Sequence, residues 1–546
     1  MSWTRRQMLE LGAKAGLLSL APAAAGCPSE GDDDDSATDE LWPPLEDCTP
    51  ETVTYEYTGE PGPEALFSHG VASGDPLADS VILWTRVTPE SAGDIEVYWE
   101  LSTSSDFSSV LASGLFTTNG DRDFTVKVEA TCLQPGTTYY YRFQSLGRTS
   151  VVGRTKTAPY GSTDQRRFAF CSCSSFPHGY FHAYRQIGER QDIDVVMHLG
   201  DYVYEYGNGD YGEIRESDPP WEIVTLEDYR RRHASYKLDL NLQEAHRQHP
   251  WICTWDDHET ANNSYSDGAQ NHNTGEGSWD DRKEAGRTAY FEWLPIREGN
   301  EGRLYRQFLT DDLMDILVLD TRIEGRDEEG TTVVEAYDEE RQLLGAEQES
   351  WLLERLSASP SRWKILAQQV VMGQWSVAQD DEGRPRPLNY DAWDGYQAAR
   401  RRILERVVGD GIDGVVVLTG DVHSSWANDI ALDFTEYIGD TQSGSIAVEA
   451  VCPGITSPGA GGLSGALQAL NSHIRWGDSG RRGWVLVDAT QERMQADWYL
   501  MDDGSVESSA YTAPTVRASF EVRAGDMRWQ EAAAPLSSGG GDPLAP

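Results

Sequence analysis

The stretch Val195–Gly207, VVMHLGDYVYEYG, places an apolar run directly before a turn and a group of side chains that can bind metal. The run up to Leu199 has the apolar, β-branched character of a strand buried on both faces. Gly200 permits a sharp turn, which presents Asp201 at the end of the predicted strand. A carboxylate there can bridge two cations, and Tyr204 can add a phenolate if the metal is as Lewis-acidic as ferric iron. Taken alone, a capping Asp beside core aromatic residues would explain this stretch equally well.

Three further strand-like runs end in the same kind of residue. They are Phe168–Phe170 before Cys171-Ser-Cys173, Trp251–Trp255 before DDHETANN (256–263), and Val415–Thr419 before GDVHSSW (420–426). Parallel strands deliver the side chains that follow them to one edge of a sheet, while helices cover its faces. The four runs together therefore predict one metal centre at a sheet edge.

Each of these runs offers a different ligand chemistry. The acids and amides of 256–263 can supply hard oxygen ligands, and His258 can protonate a leaving group. Asp421 and His423 stand two apart, on the same side of an extended segment, so both can face one site. For Cys173 the alternatives are a disulfide, a structural zinc half-site or a thiolate on iron. We favour iron, because the sequence has no second Cys pair at zinc spacing.

Length and charge limit the class of protein. At 546 residues the chain exceeds what one hydrophobic core usually supports, so two domains are expected. A net charge of −45 argues against a nucleic-acid-binding surface. An anionic ligand would need bound cations that invert the local field.

The N-terminus has the pattern of an export signal. TRRQML (4–9) is a twin-arginine pattern, and the apolar stretch Leu17–Ala25 is too short for a permanent membrane span. Ala23-Ala24-Ala25-Gly26-Cys27 resembles a lipobox, so lipid attachment at Cys27 and simple cleavage are both open. We assign residues 1–27 to this signal and 28–64 to an acidic linker. The mature protein is then expected in the periplasm or at the cell surface.

The rest of the chain divides by its patterning. Residues 65–159 alternate like a small β-sandwich, and Tyr139 follows Leu133-Gln-Pro-Gly in the manner of a tyrosine corner. Residues 165–532 alternate strands with helices, including one predicted over 226–245, and predict an α/β domain. Residues 533–546 are rich in Gly, Pro and Ser and predict a disordered tail. Five further cysteines, an odd number with open pairing, leave at least one free thiol: Cys48, Cys132, Cys171, Cys253 and Cys452.

The order of the four runs resembles the PhoD-like alkaline phosphatase family, part of the metallophosphoesterase group and related to the purple acid phosphatases. The resemblance covers about residues 65 to 530. It extends to FSHGVASGDPLADSVILWTRV (67–87), GYFHAYRQI (179–187), LVLDTR (317–322), NYDAWDGY (389–396) and ITSPG (455–459). It implies an α/β metallophosphoesterase-like two-sheet sandwich flanked by helices, after a small all-β domain of fibronectin or immunoglobulin type.

The same resemblance implies a ligand set. Fe³⁺ would be held by Cys173, Asp201, Tyr204 and His423, with Asp201 bridging to Ca²⁺. The calcium ligands would be Asp257 and Asp421, with Asn262 added from the same run, and the choice between Asp256 and Asp257 stays open. His258 would lie near the phosphate, so the expected catalytic residues are His258, Asp201 and His423.

The function implied is hydrolysis of small-molecule phosphate esters, as a monoesterase, a diesterase or both, by metal-activated hydroxide. No P-loop lysine, GxSxG or Rossmann motif offers a different chemistry. A phospholipase D-like diesterase acting on phospholipid headgroups is the alternative enzyme. A surface-anchored binding protein with a decayed site is the alternative outside the enzymes. We expect a monomer.

Overall fold

Two large sheets dominate the part of the chain that the computed structural model describes, which is residues 42–90, 92–298 and 302–546. The predicted signal and lipobox, residues 1–27, and the start of the linker lie outside the described residues. Residues 45–546 form one unit. No helix in the described ranges has both the length and the apolar character needed to cross a membrane.

Strands make up most of the regular structure in the described residues. They are β1 (Val71–Gly74), β2 (Val81–Arg86), β3 (Ile95–Ser102), β4 (Ala112–Thr118), β5 (Thr125–Ala130), β6 (Thr138–Ser145), β7 (Arg148–Thr149), β8 (Gly153–Lys156), β9 (Gln165–Cys171), β10 (Val195–Leu199), β11 (Pro250–Thr254), β12 (Ser264–Tyr265), β13 (Gly268–Ala269), β14 (Arg306–Leu309), β15 (Met314–Val318), β16 (Trp363–Ala367), β17 (Ser376–Gln379), β18 (Pro385–Pro387), β19 (Val415–Thr419), β20 (Ser425–Ala431), β21 (Ser445–Val451), β22 (Ile474–Asp478), β23 (Arg481–Thr490), β24 (Arg493–Asp502), β25 (Thr515–Arg523) and β26 (Asp526–Glu531).

The helices of the described residues lie between these strands. They are α1 (His182–Gly188), α2 (Leu226–Lys237), α3 (Leu240–Gln248), α4 (Trp279–Trp293), α5 (Val333–Ala336), α6 (Gly345–Ala358), α7 (Gln397–Gly409), α8 (Ser464–Leu470) and α9 (Asp503–Val506). The single helix predicted over 226–245 is wrong, because it is broken between α2 and α3. The Asp239 side chain accepts hydrogen bonds from the backbone N–H groups of Asn241 and Leu242 and so starts a second helix.

The first large sheet has ten strands in the order β26-β25-β24-β23-β9-β10-β11-β1-β2-β5, and the second has seven in the order β14-β15-β16-β19-β21-β20-β22. In the first, β9, β10 and β11 are parallel neighbours. In the second, β15, β16, β19 and β21 are parallel neighbours. The carboxyl ends of β9, β10 and β11 therefore share one sheet edge, and those of β15, β16 and β19 share another.

The two sheets pack face to face on one apolar core. Phe170, Met197 and Ile252 of the ten-stranded sheet belong to the same buried cluster as Ile316 and Val416 of the seven-stranded sheet. The outer faces are covered by helices, with α1 and α3 on the first sheet and α6 and α7 on the second. The predicted two-sheet sandwich flanked by helices is confirmed.

The N-terminal β region shares a sheet with the α/β region. Its strands β1, β2 and β5 extend the ten-stranded sheet through the parallel pairing of β1 with β11. Its other strands form a five-stranded sheet, and a separate apolar core lies between the two. Tyr139 forms the predicted corner, because its hydroxyl accepts the Gln134 backbone N–H at 2.8 Å. The pairing with β11 also gives hydrogen-bond partners to backbone groups of β1 that would otherwise be exposed at a sheet edge.

Two segments expected to lack structure are tied to the fold. In the predicted linker, Cys48 forms a disulfide with Cys132, and the Val53 N–H donates to Ser113 Oγ at 2.8 Å. In the predicted disordered tail, the Leu536 and Ala545 N–H groups donate to Asp497 and Gln248. The prediction of disorder for residues 533–546 is wrong for this structure, because composition does not record which backbone groups find partners on a folded surface.

Candidate metal centre

The four predicted runs meet where the two sheets bring their strand ends together. The Cys173 N–H donates to the Gly200 carbonyl at 3.0 Å, which joins the turn after β9 to the turn after β10. A Cβ on Gly200 would lie 2.4 Å from Asp256 Cβ, so only glycine lets the turn after β11 approach this closely. A Cβ on Gly420 would lie 2.8 Å from Ser172 Cβ and 3.3 Å from the Leu199 carbonyl oxygen, so the turn after β19 lies directly beside those after β9 and β10.

The backbone is left-handed at four of the predicted ligands. The φ angles are 59° at Cys173, 56° at Asp201, 60° at Asp421 and 50° at His423. Residues other than glycine rarely adopt this conformation, and such strain persists where the surrounding structure enforces it, often at functional sites. The fold therefore dictates how these side chains are aimed.

Three overlapping groups of side chains can each hold a cation, because the ligand atoms within a group lie within 4.8 Å of one another. The first group is Cys173, Asp201 and His423, and Tyr204 contacts both Asp201 and His423. We call these four residues the cysteine side. We call Asp256, Asp257 and Asp421, the third group, the carboxylate side. Asp201, Asp257 and His258 form the second group and connect the two sides.

The donors of the cysteine side converge through Tyr204. Its hydroxyl donates to Asp201 Oδ2 at 2.9 Å, lies 3.2 Å from His423 Nε2, and accepts from Ser457 Oγ at 2.6 Å. Burial, reinforced by the Asp201 charge, raises the pKa of Tyr204 and that of Cys173 well above their usual values. Both groups can ionise here only next to a strongly Lewis-acidic cation, so this set fits such a metal.

His423 is held in the form that binds metal. Its Nδ1 lies 3.0 Å from the Pro458 carbonyl, which can only accept, so the proton sits on Nδ1 and the Nε2 lone pair is free. Nε2 lies 3.8 Å from Asp201 Oδ2. Burial lowers the pKa of His423 to about 3, and the ring is therefore neutral.

The carboxylate side surrounds a buried guanidinium. Arg322 donates from Nε to Asp256 Oδ1 and from Nη2 to Asp421 Oδ1 at 2.7 Å, and Nη2 lies 3.8 Å from Asp257 Oδ2. Asp256 Oδ2 is buried and has no hydrogen-bond partner among the described residues. Burial raises the pKa of Asp421 to about 7, against the opposing Arg322 charge. An orphaned carboxylate oxygen in this cluster fits a hard cation such as Ca²⁺.

His258 lies against the cysteine side but is oriented by another acid. Its Nδ1 is 2.6 Å from Glu205 Oε2, and its ring stacks on that of Tyr204 with centroids 4.2 Å apart. Burial lowers the pKa of His258, but the charges of Glu205, Asp257 and Asp201 outweigh burial and raise it well above the ordinary value. Because Glu205 engages Nδ1, Nε2 is the ring nitrogen that remains for contact with a ligand.

Asn262 contacts the rim of the site. Its Nδ2 donates to Gln270 Oε1 at 2.8 Å, and its backbone N–H donates to Glu205 Oε1 at 2.8 Å. These contacts connect Asn262 to the acid that orients His258. Of the predicted site residues, the structure brings Cys173, Asp201, Tyr204, Asp257, His258, Asp421 and His423 together directly.

Sequence reasoning missed three charged residues that organise the centre. Glu259 accepts the backbone N–H groups of Asp201, Tyr202 and Asp256 and so joins two ligand turns. Glu205 orients His258, and Arg322 holds the carboxylates. Each stands in or just after a quoted run, and Arg322 follows β15 as the ligands follow their strands. That shared position was the signal that could have found them.

The comparisons with known proteins place this fold in one class, the PhoD-type phosphatases. A solved structure described as "Structure of PhoD" superposes with a TM-score of 0.79 at 34% identity, covering 89% of this chain and 95% of that one. "Alkaline phosphatase D" of Bacillus subtilis (strain 168) is 37% identical over 483 residues, covering 83% of this chain and 80% of the relative.

Family models match two consecutive segments of the chain. Residues 54–159 match the PhoD-like phosphatase N-terminal domain, and residues 168–498 match the PhoD-like phosphatase domain. The chain belongs to the PhoD-like phosphatase family. It is a phosphoric ester hydrolase of the alkaline phosphatase type, as the resemblance of its motifs predicted.

Proposed function

We propose that this phosphatase hydrolyses phosphate esters at a mixed centre, with Fe³⁺ on the cysteine side and Ca²⁺ between Asp201 and the carboxylate side. The observation that carries the proposal is the shared position of Asp201, which stands in one cation-binding group with Cys173 and His423 and in another with Asp257. One carboxylate can then bind both ions through its two oxygens.

The chemistry of the donors supports the choice of metals. A thiolate, a phenolate and a neutral imidazole favour a transition metal of high Lewis acidity. Burial raises the pKa of Cys173 and of Tyr204, and bound ferric iron would lower both enough for the two groups to ionise. We assign the second position to the hard oxygens of Asp201, Asp257 and Asp421, with Asn262 as the proposed amide ligand and His258 kept for the phosphate. Calcium accepts such ligands in flexible geometry.

The protein's own residues have distinct tasks in this proposal. When bound, the two cations supply the positive charge that neutralises phosphate oxygens and makes water acidic enough to attack. Asp201 would contribute to the binding of both ions, since it belongs to both candidate groups. His258, held by Glu205 through Nδ1 and grouped with Asp201 and Asp257, would use its other ring nitrogen to hydrogen-bond the phosphate or give a proton to the leaving oxygen.

The role of His258 can be tested separately from that of the metals. We expect His258→Ala to lower kcat by about 10²-fold, the usual scale for a positioned acid, without loss of either metal. Turnover equal to the unaltered protein would remove His258 from the mechanism.

We further propose export by the twin-arginine route and lipid attachment at Cys27, from the residue pattern alone. Lysine at both Arg5 and Arg6 should retain the protein in the cytoplasm. Mass spectrometry of the exported chain distinguishes an acylated Cys27 from simple cleavage. An exported double variant, or an unmodified N-terminus, contradicts the corresponding proposal.

The principal experiment measures hydrolysis of a chromogenic phosphomonoester and of a matched diester at alkaline pH. The protein is assayed fully loaded with metal, then after a calcium chelator, then after calcium is restored. We expect activity to be lost and regained with calcium while the iron content stays constant. Activity that is unaffected by calcium removal would falsify the mixed-centre assignment, and the ratio of the two rates gives the ester preference.

A further inference from the structure

Arg322 lies among the acids of the carboxylate side and contacts all three of them. Its side chain is fully buried, at 0% exposure. Besides Asp256 and Asp421, it donates from Nη1 to Asp391 Oδ2 at 2.7 Å. We propose that Arg322 is a positioning residue: it holds one oxygen of Asp256 and one of Asp421 and leaves the second oxygen of each for the second cation. This inference rests on the proposed two-cation function.

The three carboxylates that Arg322 bonds come from different parts of the chain. Asp256 follows β11 of the ten-stranded sheet, Asp421 follows β19 of the seven-stranded sheet, and Asp391 lies in the segment before α7. These contacts span 66, 99 and 69 residues of sequence. One guanidinium therefore connects the edges of both sheets at the point where the second cation would bind.

The loop that carries Arg322 is itself held firmly. The Arg322 N–H donates to Asp320 Oδ1 at 2.9 Å, and the Asp320 N–H donates to Gln348 Oε1 at 2.8 Å. The Thr321 hydroxyl donates to Gln369 Oε1 at 2.6 Å. A loop anchored in this way fixes the point from which the Arg322 side chain reaches the carboxylates, as a residue that orients metal ligands requires.

Guanidinium chemistry explains why arginine suits this position. It stays protonated at any working pH, and its planar fork offers five N–H donors at fixed angles. Asp256, Asp257 and Asp421 would otherwise repel one another in a buried setting, where unpaired charge is costly. Lysine provides the charge at one point and cannot hold two separate carboxylates in a fixed geometry.

The pattern of used and unused oxygens agrees with this role. Arg322 takes Oδ1 of Asp256, and Oδ2 of the same residue is buried without a partner in the described chain. It takes Oδ1 of Asp421, which belongs to the same cation-binding group. Among the described residues the Arg322 guanidinium pairs with Asp256, Asp257, Asp391 and Asp421 and with no residue of the cysteine side, so the effect should be confined to the second cation.

The test measures calcium and iron binding on the full-length protein with Arg322→Gln and Arg322→Lys. We expect the calcium Kd to rise by about 10- to 100-fold in Arg322→Gln, as for other residues that orient metal ligands, and by less in Arg322→Lys. Iron content should remain that of the unaltered protein. Arg322→Lys also serves if the glutamine variant does not fold.

Arg326→Gln is the matched control, because Arg326 is buried and bonds Asp391 and the Thr321 carbonyl but neither Asp256 nor Asp421. A calcium Kd that is unchanged in both Arg322 variants, or raised equally by Arg326→Gln, overturns the positioning role. Failure of the proposed function has a different signature, since the unaltered protein would then bind no calcium at the centre. A purely structural role would lower the melting temperature without changing the calcium Kd.

Discussion

The cysteine side and the carboxylate side lie next to each other, yet they are organised by different physical means. On the cysteine side the backbone aims the ligands, with left-handed φ at Cys173, Asp201 and His423 and hydrogen bonds from Ser457 and to Pro458. On the carboxylate side only Asp421 has a left-handed backbone, and one buried arginine contacts all three carboxylates by charge. The cysteine side offers thiol, phenol and imidazole donors beside Asp201, and the carboxylate side offers carboxylate oxygens. In the proposed mixed centre this difference would direct two unlike cations to separate positions.

The largest expected effect comes from the residue that both sides share. Asp201→Asn should lower kcat/KM by about 10³-fold or more, because it removes charge from both ions at once. Metal analysis should show both iron and calcium reduced. Asp315→Asn is the control, since Asp315 is a buried acid of β15 that binds Gln307. Normal iron and calcium in Asp201→Asn would show that the two sides do not share this ligand.

A smaller and one-sided effect is expected from the thiol. Cys173→Ala should remove iron and its visible absorption and lower activity by about 10²-fold, because no other soft anionic donor replaces the thiolate. Calcium affinity should change little. Cys171→Ala is a close control, because Cys171 is also a buried free cysteine but belongs to the apolar core. If Cys171→Ala loses iron instead, the ligand assignment between the two cysteines is reversed.

The smallest expected effect is from Glu259, which joins the two sides through the backbone. Glu259→Gln replaces one acceptor oxygen by an amide that faces N–H groups, so we expect about tenfold weaker binding of both metals. Glu449→Gln is matched, because Glu449 is buried and accepts two backbone N–H groups from Met372 and Gly373 away from the centre. Equal metal loss in the two variants would mean that general destabilisation explains the result.

Much of the centre was predictable because its signals are local. An apolar run, a turn and a polar ligand within a dozen residues, as in Val195–Gly207, identify a strand end without knowledge of its neighbours. Tyr139 and its Gln134 partner are equally local. The break at Asp239 was missed although it too is local, because the apolar pattern continues across it and the capping hydrogen bonds decided the boundary.

The remaining features depend on contacts between distant parts of the chain. Nothing in the pattern of residues 65–159 reveals that β1 pairs with β11, and nothing in residues 533–546 reveals their partners. The same holds for Arg322, whose three acids come from separate loops. Long-range pairing is set by the global packing of sheets, which local periodicity does not encode.

By itself the sequence determined the family, the α/β class and the identity of the candidate ligands, because ligand chemistry and strand-end position are properties of short segments. Only the tertiary structure decided which charged residues orient those ligands and how the N-terminal β region joins the ten-stranded sheet. Those features follow from the close packing of two sheets. A charge buried between them is costly unless it is paired, so each buried acid of the centre lies against an arginine, a histidine or backbone N–H groups.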